Sequence, residues 1–147
     1  MMPPAAAPAG TARRLVGADG IRPDGTPILT ISVCRRCTAR WFPPRAVCST
    51  CAHDRLDPVE AGADGVAYAS TVVRIGALGF AAPYVLTYVD VDGVRVLAHT
   101  DPADPQHPEA LAPGTRVRFT AGPVGAAAGV DLWSYRVRPT GAPGSDR

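Results

Sequence analysis

The chain has 147 residues, 46% of them hydrophobic, and a formal net charge of +2; all 15 of its basic residues are arginine. That length fits one domain with at most a small appendage, and the apolar share excludes a wholly disordered chain. The charge is too small to signal nucleic acid by itself, and no apolar run approaches the ~20 residues of a membrane span.

Fifteen glycines and sixteen prolines favour short strands and turns over long helices. The first stretch, "MMPPAAAPAGTARR", is rich in Pro and Ala, lacks apolar periodicity, and carries Arg13 and Arg14 where a secretory signal would place its apolar region. A soluble, cytoplasmic protein is therefore expected, with residues 1–26 and 140–147 as flexible tails. "GIRPDGTPILTISV" reads as a turn followed by a strand.

All four cysteines follow within "CRRCTARWFPPRAVCSTC", spaced C-x2-C-x10-C-x2-C through Cys34, Cys37, Cys48 and Cys51. Each C-x-x-C lets one tight turn aim two sulfurs at a single point, and two facing turns make the tetrahedral cage that Zn²⁺ prefers. Iron takes the same four thiolates, so the spacing leaves that metal open. Disulfides would need an oxidising compartment or a redox fold, which the flanking pattern does not suggest. Four thiolates leave no open position for water, so a bound zinc is expected to be structural. Residues 27–60 are read as a zinc ribbon, with Trp41, Phe42, Pro43 and Pro44 packing over the site.

From Gly65 the pattern becomes period two, and residues 61–139 read as a barrel. Five strands are predicted: 66–75, 84–91, 94–100, 115–121 and 130–138. Asp92-Gly93, between two valine-rich runs, is a two-residue hairpin turn requiring positive φ at both positions. The Pro-rich "DPADPQHPEALAPG" separates strands three and four. Five short strands with a break after the third is the layout of an OB-fold, so the predicted class is mainly β, a rubredoxin-like ribbon followed by a five-stranded OB barrel.

Two features of the barrel are candidate contact sites. Arg116 and Arg118 share one face of the fourth strand, and Arg136 and Arg138 one face of the fifth; pairing these strands brings four cations to one patch, either solvated or facing an anion. The uncharged "IGALGFAAP" sets Leu78 and Phe80 between glycines, and either folds back over the barrel end or offers a partner contact. No G-x-S-x-G elbow, P-loop or dinucleotide fingerprint is present, and His99 and His107 have no evident nucleophile beside them. No catalytic residue is assigned, and function is expected to lie in binding.

The cysteines, the Phe42-Pro43-Pro44-Arg45 run, "GVAYASTVVRI", "GFAAPYVLTYVDVDGVRVLAHT" and "PGTRVRF" together resemble the DUF35 family of zinc-ribbon and OB-fold proteins, from Cys34 to about Pro139. The resemblance implies a non-catalytic companion of an acyl-CoA enzyme in lipid or polyketide metabolism. Such a companion docks on a thiolase-like, ketoacyl-synthase-like (condensing) or hydratase subunit and helps to wall its acyl-CoA channel. Two departures are visible: Thr38 and Ala52 stand where the family often has glycine after each knuckle, and no helix is evident before the ribbon. The alternative is a single-stranded nucleic-acid-binding module, which OB barrels also build, although aromatics are only 6% of the chain.

Overall fold

A computed structural model describes residues 12–77 and 79–143. No α-helix occurs among them, and hence none long and apolar enough to cross a membrane. Eleven strands do: β1 (Arg13–Leu15), β2 (Gly20–Ile21), β3 (Pro27–Ile28), β4 (Thr30–Cys34), β5 (Arg40–Trp41), β6 (Leu56–Glu60), β7 (Asp64–Val73), β8 (Tyr84–Val91), β9 (Val94–Thr100), β10 (Arg116–Ala127) and β11 (Val130–Gly141).

The barrel closes in the order β7-β8-β9-β11-β10-β7. Every contact is antiparallel except β9 with β11, which run parallel through Arg136↔His99 and Val137↔Thr100. This is the OB strand order. Alternation drives it: Val85, Thr87, Val89 and Val91 point inward from β8, and Val94, Val96, Ala98 and Thr100 from β9. The turn between them has Asp92 at φ 46° and Gly93 at φ 79°, as the hairpin requires. At the opposite end the Leu111 N–H donates to Ser70 Oγ (3.0 Å). From there Ser70, Thr87 and Thr100 hydroxyls link at 2.9 and 2.7 Å, anchoring the Pro-rich segment under the barrel.

Two parts of the chain differ from the sequence reading. Within the segment read as an N-terminal tail, β1 pairs in parallel with β11, and β2 forms a hairpin with β3. The β10–β11 hairpin continues past the barrel to Ala127↔Val130, through "GPVGAAAG", where a loop is expected. A β-bulge between Pro123 and Gly125 absorbs the proline, and Ala128 and Gly129 turn the chain at φ 50° and 77°.

The ribbon is a three-stranded sheet in the order β5-β4-β6. It has no core of its own. Leu29 and Ile31, 2% and 0% exposed, lie in one apolar cluster with Val89, Val91, Val94, Phe119 and Val137 of the barrel. Phe42 reaches the same cluster and meets Tyr135 edge-on, ring centres 5.8 Å apart. Ribbon and barrel therefore pack as one body.

Candidate metal centre

The first knuckle begins where β4 hands its last residue, Cys34, to a tight turn, and the second begins at Cys48 in the irregular segment after β5. In the first, the Thr38 N–H donates to the Cys34 carbonyl (3.0 Å); in the second, the Ala52 N–H donates to the Cys48 carbonyl (2.8 Å). The two turns repeat each other in φ as well, with Thr38 at 64° and Ala52 at 62°. Both are the left-handed conformation that glycine adopts without cost, so the two departures from the glycine pattern fall at the positions where a Cβ is strained.

The result is a cage. Cys34 Sγ lies 3.6 Å from Cys51 Sγ, and Cys37 Sγ 3.5 Å from Cys48 Sγ. All four sulfurs lie within 4.8 Å of one another. A tetrahedron of sulfurs at ~2.3 Å from a central ion has edges of about 3.8 Å, so the spacing matches a four-thiolate site. It does not match disulfides, whose sulfurs sit at about 2.05 Å. Cys34 and Cys48 are buried, Cys37 and Cys51 half-buried.

The electrostatics ask for a cation. Burial acts to raise the Cys48 pKa, but the N–H groups of Cys51 and Thr50, with the Cys37 and Trp41 side chains, outweigh it and bring it down to about 6. Cys34 is also lowered, led by the Cys37 N–H. The Ala39 N–H draws Cys37 the same way, yet burial and the three neighbouring thiols push it up to about 12. Burial and the crowding of four sulfurs thus act against the last charge on the cage, while the backbone N–H groups favour the earlier ones. A divalent ion at the centre removes that conflict.

The sequence matches no family model and no curated protein. Among solved structures, the chain is similar to one described as "Ltp2-ChsH2(DUF35) aldolase". The two share 25% sequence identity and a TM-score of 0.57, over 76% of this chain and 84% of that one. The chain has the DUF35 architecture.

On this scaffold the arginines gather as the strand pairing implies. Arg118 stands opposite Arg138, and Arg136 opposite Thr120. They do not form an uncountered patch. Arg118 Nη1 reaches Asp64 Oδ1 at 3.0 Å, and Arg136 grips Asp101 through Nε (2.8 Å) and Nη2 (2.6 Å). The Arg136 Nη1 also donates to the Pro123 carbonyl (2.7 Å). Arg116 lies against Gly141, and Arg138 is exposed. No alternation pattern announces these acidic partners, because Asp64 and Asp101 sit at strand ends.

The uncharged loop of the chain folds back. Leu78 lies outside the described residues. Phe80 is half-buried and stacks on His99, with ring centres 5.6 Å apart and planes 19° apart, and Tyr84 flanks both. The Ala126 N–H donates to the Gly79 carbonyl at 3.1 Å, tying the loop to the β10–β11 hairpin. Between loop and hairpin lies a cavity of about 450 Å³, lined in part by Tyr84, His99, Asp131 and Arg136. Ile75, predicted to end a strand, is instead 93% exposed beside this loop. Sequence reasoning also missed Tyr68 and Tyr88, which are exposed on the outer barrel face; a bulge between Ala67 and Ala69 shifts the alternation there.

Proposed function

We propose that this chain is a non-catalytic, cytoplasmic accessory subunit of an acyl-CoA enzyme, built around one structural Zn²⁺ held by Cys34, Cys37, Cys48 and Cys51. The observation that carries the reading is the likeness, over 76% of the chain, to a structure whose description pairs a DUF35 component with a second component in an aldolase. The partner is an acyl-CoA enzyme subunit of the thiolase-like, condensing or hydratase kind, and this chain helps to form its acyl-CoA site. Zinc supplies cross-linking and charge neutralisation between the two knuckles, with no coordination position left for substrate. The partner contacts lie on the rim that includes the 75–83 loop, where Phe80 pins the loop to the barrel and Ile75 is presented to a neighbour. Leu78 belongs to the same contact, and Arg116, Arg118, Arg136 and Arg138 flank the bound anion or partner.

Native purification from the source cells, with the associated chain identified by mass spectrometry, tests this. A stoichiometric acyl-CoA enzyme subunit is expected. A chain that elutes alone at physiological salt, or with nucleic acid, contradicts it.

One observation favours a second reading. Tyr68 and Tyr88 are exposed on strands β7 and β8, and the Arg95 guanidinium lies 3.4 Å from the centre of the Tyr68 ring. Stacking residues beside a cation suit a single-stranded nucleic acid. Arg95 is, however, engaged by both oxygens of Asp90 at 2.7 and 3.1 Å, which neutralises the charge a phosphate needs. The accessory-subunit reading is preferred.

A further inference from the structure

Among the described residues, Trp41 Nε1 is the buried side-chain polar atom with no hydrogen-bond partner, sulfur included. Leaving a buried N–H bare costs about 1–3 kcal/mol, so a native fold rarely does it without reason. The Trp41 side chain is close enough to Cys48, one of the two buried thiols of the cage, to favour its thiolate, although no hydrogen bond joins them in the structure.

The indole is held there from several sides. Trp41 pairs with Ser32 in the β5–β4 ladder, two residues before Cys34. The Arg45 guanidinium lies over its ring, 4.8 Å from the ring centre. Arg45 is itself fixed: its backbone N–H donates to Ser32 Oγ at 2.9 Å, and its Nη1 donates to Ser49 Oγ at 2.7 Å. Ser49 sits inside the second knuckle, between Cys48 and Cys51. The chain thus links the strand before the first knuckle to the second knuckle through an aromatic ring whose donor is left unpartnered beside the cage.

We propose that Trp41 donates a side-chain hydrogen bond to the metal-bound Cys48 sulfur, with Arg45 as its positioning residue, and that this bond slows release of the ion. The inference rests on the metal reading above. A four-thiolate site with a divalent ion carries net negative charge in a half-buried setting. Beyond backbone amides, the indole N–H and the adjacent guanidinium are groups that offset that charge at Cys48. Removing a hydrogen-bond partner one shell out from a metal typically weakens binding by about 10–100-fold.

The test uses the full chain. Loaded with cadmium-113, the wild-type protein is expected to show a scalar coupling between the Trp41 indole proton and the metal, transmitted through the sulfur. Trp41→Phe keeps the aromatic bulk and loses the donor. It is expected to surrender its metal to a chromogenic chelator about tenfold faster or more, and to move the thiolate-to-metal charge-transfer band of the cobalt(II) form to lower energy. Arg45→Gln should give a smaller change in the same direction. Metal uptake with no indole coupling overturns the proposal and leaves the metal reading standing. So does an unshifted band with unchanged release in Trp41→Phe. A wild-type protein that takes up no metal overturns both. If Trp41→Phe does not fold, the wild-type coupling alone decides.

Discussion

Arg40 Nη1 donates to the main-chain oxygen of Asp92 at 3.0 Å, joining the ribbon to a barrel hairpin 52 residues further along the chain. The side chain of Asp92 accepts from the Gly62 N–H at 2.5 Å, at the point where the ribbon leads into the barrel. Gly93 makes room for the arginine, since a Cβ there would come within 2.9 Å of Arg40 Cδ. This clasp closes over the shared core formed by Leu29, Ile31 and the barrel valines.

The clasp and the common core make metal loss a global event. Each fully buried Leu or Ile contributes about 1.5–3 kcal/mol, and both Leu29 and Ile31 depend on the ribbon sheet for their place. Cys48→Ser, or exhaustive chelation, is expected to lower a single cooperative unfolding transition observed by circular dichroism and to abolish metal content of about one equivalent. Two separate transitions, with the barrel melting as in wild type, would show that ribbon and barrel are independent.

The knuckle turns carry removable strain. Ala52 at φ 62° occupies a conformation costing an L-residue about 1–2 kcal/mol, part of which glycine returns as extra freedom of the unfolded chain. Ala52→Gly should therefore stabilise the metal-loaded protein by about 0.5–1 kcal/mol in denaturant titration. A loss of stability would contradict the left-handed assignment.

Gly125 lets the hairpin and the uncharged loop touch. A Cβ there would sit 2.5 Å from the Gly79 carbonyl oxygen and 3.1 Å from the Phe80 ring. Gly125→Ala is expected to displace the loop and lower stability by about 1–3 kcal/mol, with the Phe80–His99 stacking lost from aromatic NMR shifts. An unchanged His99 environment in that variant would mean the loop is held by something other than this packing.

His99 should make stability fall in mild acid. Burial first, and Arg136 second, hold its pKa below the ordinary 6.5. The folded protein thus resists a proton that the unfolded chain accepts. The stabilisation is fully present above about pH 6.5 and is lost as the pH drops through the folded value. Urea midpoints measured on metal-loaded protein between about pH 7.5 and about pH 5 should decline less in His99→Gln than in wild type. Parallel declines would assign the effect to other groups, the cysteine thiolates first among them.

Much of this was legible in the sequence because it depends on local pattern. Strands β8 and β9 have the bounds that valine alternation implies, and the cysteine spacing implies a cage that the sulfurs form. The missing parts depend on distant partners. Strand β1 has no apolar alternation; backbone bonds to β11 and Arg13 lying over Trp133 at 4.5 Å hold it. Leu29 and Ile31 look like ordinary strand residues, and nothing local tells that their core belongs to the barrel. The arginine face was foreseen, but its neutralisation by Asp64 and Asp101 was not, since those pairs span 54 and 35 residues.

The most direct test of the proposed accessory role is turnover by whatever enzyme subunit co-purifies with this chain, assayed on acyl-CoA substrates with and without the chain in its metal-loaded form. The account predicts that the chain alone turns over no acyl-CoA substrate, and that adding it raises the partner's rate to saturation at a fixed stoichiometry. Steady turnover by the pure chain, abolished by a point mutation within it, would contradict the account, as would a partner whose rate is the same in its presence and absence.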